Sequence, residues 1–314
     1  MERFPQTWSG CGSHFVEAPR ISRERYRKTT SRKRCLLQVE SVPTVDVGDV
    51  KLYYEVYGDG EPVVFLNGIF MSTASWVFQR NHLVRLNYRV VLHDMRGQWN
   101  SDKPDDESQY SLEIHAEDLR RLLDHLGLKK VHLVGTSYGG EVAMLFAIKY
   151  PEYVNDLTVI ASVSEIQEDL RLTAMRWLEG ALSRDVRKFV LSWISDVYSE
   201  RFITQHGRGL FDRLVDTFSR GFSLTSAAYL IKSFLRLADS PLTELLKGIL
   251  VPTLVISAEE DRVKPPKYSK IIAREIPNST YVEVRESGHA VILEKPTVIN
   301  YLLTGFIYSN RIKP

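Results

Sequence analysis

Only two of the 314 residues are cysteine, Cys11 and Cys35, and neither lies beyond residue 42. A disulfide framework therefore cannot hold the main body, and no Cys-x-x-Cys or Cys/His cluster offers a metal site. No run of about 18 apolar residues exists to span a bilayer. The N-terminal stretch also lacks the apolar core of a secretory signal, so the expected location is the cytoplasm, the glutamates in that stretch weighing against an organellar address. Charge of one sign is scarce as well: 41 basic residues against 39 acidic leave a net +2, too little to draw the protein to nucleic acid. There is no repeat of fixed period and no dinucleotide or phosphate-binding loop, GDGEP at 58–62 reading as a turn between strands.

The near-neutral total hides an asymmetry. Residues 1–42 hold nine Lys and Arg against four acids, leaving 32 against 35 in the remainder. The excess lies in ISRERYRKTTSRKRC, residues 21–35, which has little apolar periodicity and reads as a solvated or disordered arm. Nucleic acid or anionic lipid would suit such an arm, but the plainer reading is a tail with no selected partner or an over-long gene start. With 44% apolar and 25% charged residues, the rest has the composition of an ordinary globular chain with a sizeable core.

From residue 44 short β-branched runs alternate with amphipathic stretches, the pattern of a mainly parallel sheet covered by helices. TVDVGD and KLYYEVYG (44–58) predict an opening hairpin. Further strands are predicted at 62–68, 88–94, 130–135, 157–162, 252–258 and 279–284. Leu119, Leu122, Leu123 and Leu126 share one face of a helix that Ser111 can cap at its start and Gly127 at its end. From Val163 to Leu250, 88 residues contain no strand-like run. This stretch is aromatic (Trp177, Phe189, Trp193, Phe202, Phe211, Phe218, Phe222, Tyr229, Phe234) and reads as a helical cap inserted into the sheet domain. Most of these rings should be core, with two or three lining a pocket. The expected architecture is a three-layer α/β sandwich with a mainly parallel eight-stranded sheet. Its core would span 43–162 and 251–314, with the cap at 163–250.

The strongest local signal is GTSYGG, residues 135–140, between the strand KVHLV and the helical EVAMLFAIKY. Gly135 and Gly139 allow a sharp turn that holds the Ser137 side chain up where a substrate can reach it. The amide of Tyr138 then points at the oxygen above the attacked carbon, and the helix dipole adds positive potential. The bland alternative is a serine in an ordinary tight turn.

Serine needs a base to take its proton, and the base needs a partner to hold its tautomer. His289, in VRESGHAVILEKP after the last predicted strand, is the best base. The other histidines are poorer. His14 is in the arm, His115 and His125 are read on a surface helix, His132 is inside a strand, and His82 and His206 have no motif. His93 ends a strand and is kept as a possible pocket residue. The carboxylate should also follow a strand end, where SAEEDRVKP offers Glu259, Glu260 and Asp261. Asp261 is preferred because it immediately precedes RVKP, where the loop should bend back toward the histidine.

Taken together, residues 44–310 resemble the α/β-hydrolase superfamily. Ser137, Asp261 and His289 stand on GTSYGG, SAEEDRVKP and SGHAVILEKP in that family's order of serine, acid and histidine. HDMRGQWNSDKP (93–104) resembles the family's loop after the fourth strand, whose Asp and Arg-Gly are structural. The resemblance also implies a helical cap between the sixth and seventh strands. One departure is Asn67-Gly68 where the family has His-Gly, with Ile69 in the position of the second oxyanion donor. Because that donor is a backbone amide, the change need not harm the hole. LNGIFMSTASW (66–76) is locally similar to 3-hydroxyacyl-carrier transacylases and rhamnolipid-precursor synthases. Relatives acting on haloalkanes or epoxides carry aspartate at the elbow, and residue 137 is serine.

The resemblance implies a serine hydrolase of a carboxylic ester, thioester, lactone or activated C–C bond, working through an acyl-serine. Ser137 would attack, His289 carry the proton, Asp261 fix the imidazole, and the amides of Ile69 and Tyr138 hold the oxyanion. No metal or organic cofactor is required. The aromatic cap suggests a small-molecule substrate with a medium, largely apolar acyl or aryl group. Acyl transfer to an alcohol or thiol, and a non-catalytic ligand receptor or signalling protein on the same fold, are the alternatives. Nothing in the sequence sets the oligomeric state.

Overall fold

The computed structural model describes residues 43–312. The basic arm read over 1–42 lies outside them. Eight strands form one sheet: β1 (Thr44–Asp46), β2 (Lys51–Tyr57), β3 (Pro62–Leu66), β4 (Arg89–His93), β5 (Val131–Thr136), β6 (Val154–Ile160), β7 (Thr253–Ala258) and β8 (Ser279–Val284). Their order is β1-β2-β4-β3-β5-β6-β7-β8. The opening hairpin is antiparallel, Thr44 facing Tyr53, and β2 meets β4 antiparallel, whereas every pairing from β4 to β8 is parallel. β6 begins three residues earlier than its apolar run predicts, because Val154 pairs with Val131 ahead of a register irregularity.

Three helices connect the first strands: α1 (Val77–Arg85), α2 (Leu112–His125) and α3 (Tyr138–Lys149). Five more stand between β6 and β7: α4 (Glu168–Leu182), α5 (Val186–Val197), α6 (Glu200–His206), α7 (Arg208–Phe218) and α8 (Leu224–Leu235). The chain closes with α9 (Pro266–Glu275), α10 (Val291–Glu294) and α11 (Pro296–Ser309). Period-two alternation divides the strands between two cores. Val64 and Leu66 pack with α2, α3 and α9, while Val63 and Phe65 pack with α1 and α11. This is a sheet between two helical layers.

The predicted helix over 111–127 forms as α2. Ser111 accepts the amide of Ile114 at 3.2 Å, and Gly127 takes a left-handed φ of 66° just past the end. Leu119, Leu122 and Leu123 are fully buried, and Leu126 packs on the core from its edge.

Parallel strands deliver their following loops to one edge of the sheet. The loops after β3, β5, β7 and β8 carry Asn67–Met71, Ser137, Asp261 and His289 respectively, so residues far apart in sequence converge there.

Candidate active site

Ser137 directly follows β5 and stands at the N-cap position of α3 with φ 52° and ψ −124°, a conformation that costs a non-glycine residue about 1–3 kcal/mol. The surroundings enforce it. Its amide donates to the Ile160 carbonyl at 2.8 Å, and a β-carbon at Gly135 would overlap the carbonyl of Gly139. One at Gly139 would strike the Leu66 and Asn67 carbonyls, so the turn closes only because both positions lack side chains.

His289 Nε2 lies 2.9 Å from Ser137 Oγ, and His289 Nδ1 lies 2.7 Å from Asp261 Oδ2. The other oxygen of Asp261 accepts the amides of Val263 and Lys264, both at 2.8 Å. Of the three acids in that loop, Asp261 alone is buried. Glu259 is exposed and accepts the amide of Glu286, and Glu260 is exposed too. The histidine loop is itself held. Ala290 donates its amide to the Val197 carbonyl at 2.9 Å. Glu294 accepts from the amides of Ser199 and Gly288 and from Ser199 Oγ.

Gly68 approaches the serine so closely that a β-carbon there would sit 3.2 Å from Ser137 Cβ. Among the described residues, the amides of Ile69 and Tyr138 have no hydrogen-bond acceptor. Asn67 keeps away from the cavity. It is fully buried, accepts from Trp76 Nε1 at 2.8 Å and donates to the His93 carbonyl at 3.0 Å. In the loop after β4, Asp94 accepts from Thr73 N and from both nitrogens of Asn100, and Arg96 pairs with Asp49 and Asp118. These are structural ties.

A cavity of about 400 Å³ opens over Ser137 and His289. Four of the rings predicted in the inserted helices line it, Trp177, Trp193, Phe218 and Phe234, rather than two or three. The excess arises because α4, α5, α7 and α8 all turn a face inward. Three further rings that sequence reasoning missed, Phe70, Trp99 and Tyr198, also line it, and the Trp99 indole donates to the Phe70 carbonyl at 2.9 Å. Trp99 and Phe70 both have positive φ, 24° and 71° respectively.

Two histidines differ from expectation. His93 is not a pocket residue: it is 1% exposed beneath the loops, and burial pushes its imidazole down to about 4. His115 is not on a surface. It faces Tyr138, whose hydroxyl lies 2.9 Å from His115 Nδ1 and 2.7 Å from Ser233 Oγ. The Tyr138 side chain thus ties α2 and α8 to α3 while its amide stays beside Ser137.

Sequence reasoning also missed a buried ion pair at the cavity wall. Lys264 Nζ lies 2.6 Å from Glu141 Oε1, with the two side chains 3% and 0% exposed. Burial lowers the Lys264 ammonium from its usual range, opposed by the Glu141 charge. The available signal was a lone acid one turn after the elbow and a lysine just past the acid loop.

Comparisons with known proteins agree with the fold. A model described as the α/β hydrolase fold matches residues 61–296. The putative carbamate hydrolase RutD of Azorhizobium caulinodans is 28% identical over 265 residues, 84% of this chain and 98% of its own. The α/β hydrolase enzyme MGS-M2, from a Medee basin deep-sea metagenome library, superposes with a TM-score of 0.79 at 30% identity, covering 87% of this chain and 99% of its own. Est816, an N-acyl homoserine lactone degrading enzyme, gives 0.72 at 27% identity over 84% of this chain and 100% of its own. The family match runs from the residue before β3 to the first residue of α11, taking in the elbow, both partner loops and the helices between them, and the chain therefore belongs to the α/β hydrolase fold family.

Proposed function

We propose that the protein is a serine hydrolase that cleaves a largely apolar carboxylic ester or lactone through an acyl-serine. The observation that carries this reading is the continuous contact from Asp261 through His289 to Ser137, at 2.7 and 2.9 Å. In this reading Asp261 holds the proton of His289 on Nδ1, which leaves Nε2 free to accept the proton of Ser137. Ser137 Oγ attacks the carbonyl carbon, and the developing oxyanion takes the free amides of Ile69 and Tyr138. Collapse expels the alcohol with the proton from His289. A water then gives its proton to His289 as it attacks the acyl-serine, and His289 returns that proton to Ser137 Oγ as the acid leaves.

Two further observations support the substrate class. The cavity is walled mainly by aromatic and aliphatic side chains, which favours an apolar acyl group. Est816 degrades a lactone, and RutD is a putative carbamate hydrolase, so related chains cleave related carbonyl bonds. Residues 163–250 act in this reading as a cap over a core of 43–162 and 251–314, supported by the wall rings that α4, α5, α7 and α8 contribute.

Product analysis with a medium-chain ester and a lactone, each with and without added alcohol, tests the proposal. Free acid should appear in water alone. Product that forms only when the alcohol is supplied would make the protein a transferase, and no turnover of either would overturn the enzyme reading.

A further inference from the structure

The helix after the elbow, α3, carries two charges, Glu141 in its first turn and Lys149 at its end, and Glu141 is completely buried. Ser162 Oγ lies 2.7 Å from Glu141 Oε1 and 2.9 Å from the Ser137 carbonyl, so the carboxylate sits next to the backbone of the serine. Lys264 arrives from the loop after β7, three residues past Asp261, and lines the same cavity as Ser137 and His289.

An ammonium has three N–H donors. Among the described residues, Glu141 Oε1 is the single hydrogen-bond acceptor of Lys264 Nζ, and the Phe234 ring, centred 4.5 Å away, covers another side. Leaving a charged donor unsatisfied in an apolar cavity is unfavourable, and an incoming oxygen would remove that penalty. Glu141 decides what kind of oxygen. The pair has no net charge, so a carboxylate entering the cavity would lose its hydration without gaining an uncompensated counter-charge. A neutral carbonyl is cheaper to desolvate and still receives a charge-assisted hydrogen bond.

We propose that Lys264 Nζ is a second recognition point of the cavity, donating a hydrogen bond to a neutral carbonyl oxygen that the substrate carries away from its scissile bond. The substrate class is then an ester or lactone whose acyl part bears a keto, amide or second ester carbonyl. This rests on the serine-hydrolase reading given above. The aromatic walls hold the chain, and Lys264 sets its register.

The test compares kcat/KM for p-nitrophenyl 4-oxopentanoate, 5-oxohexanoate and 6-oxoheptanoate with the unsubstituted esters of equal length. At least one keto position should be preferred by about tenfold to a hundredfold, as a charge-assisted hydrogen bond implies. In the variant Lys264→Met with Glu141→Gln, which leaves neither partner as an unpaired buried charge, that ratio should fall to near unity. Turnover of the plain esters with no keto preference in the wild type overturns this inference and leaves the hydrolase reading standing. A preference that survives in the double variant overturns the assignment to Lys264. Turnover of no ester at all overturns both. The wild-type comparison decides alone if the double variant fails to fold.

Discussion

Gln98 Nε2 donates to the carbonyl of Gly68 at 2.8 Å and so grips the peptide whose N–H belongs to Ile69. Gln98 Oε1 in turn lies 3.3 Å from both Asn67 Nδ2 and the Met95 amide, which fixes the side chain in one orientation. Loss of a complete oxyanion donor costs about 10²–10³ in kcat. Gln98→Leu, which frees the peptide without deleting its N–H, should lower kcat by about tenfold to a hundredfold with KM little changed. Steady-state kinetics on one ester measures this, and a rise in KM alone would place Gln98 in substrate binding instead.

The strained elbow sets stability against activity. Ser137→Ala keeps a β-carbon at φ 52° and should fold as the wild type does while losing nearly all turnover. Ser137→Gly removes the strain and should raise the denaturant midpoint, by about 1 kcal/mol or more in unfolding free energy, with the same loss of turnover. A destabilised Ser137→Gly protein would contradict the strain.

Asp261 and its neighbour separate cleanly by substitution. Asp261→Asn should reduce kcat by about 10³-fold or more because the imidazole loses its tautomer lock, whereas the exposed Glu260→Gln should change it less than threefold. Rate measurements on the two variants decide, and a larger loss at Glu260 would reverse the assignment.

Chain-length preference reports the cavity. p-Nitrophenyl hexanoate should be turned over faster than the acetate. Phe218→Ala should shift the optimum to longer chains at a stability cost of about 3 kcal/mol, since the ring packs on Trp99 and Phe222. Preference for acetate alone would contradict an apolar acyl site.

Stability should fall on mild acidification. Burial pushes His93 down from 6.5 to about 4 and His115 from 6.5 to about 3, so both stay neutral in the folded protein while their unfolded counterparts charge near 6.5. The unfolded chain binds more protons across that interval, and stability is lost as pH drops from about 6.5 toward 4. Denaturant midpoints between pH 7.5 and 4.5 measure the slope, which His93→Gln should flatten.

How much was legible depended on the range of the signal. The elbow was readable because glycine, serine and the flanking strand and helix sit within a dozen residues, and the loops of Asp261 and His289 each follow a recognisable strand. His115 was misread although the cue was present: it falls three residues after Leu112 and four before Leu119, on the buried face. Lys264 and Glu141 pair across 123 positions, and Gln98 reaches Gly68 across 30, contacts that no local pattern encodes. Trp99 takes a positive φ that a tryptophan would not suggest, so its place in the cavity wall became visible only in three dimensions.

In the proposed mechanism Ser137 is an activated nucleophile. Intact-mass measurement after exposure to a fluorophosphonate, followed by peptide mapping, reads that reactivity. The wild type should gain one adduct on Ser137, and Ser137→Ala should gain none. A wild-type protein that stays unmodified, or an equal adduct on Ser137→Ala, would contradict the account.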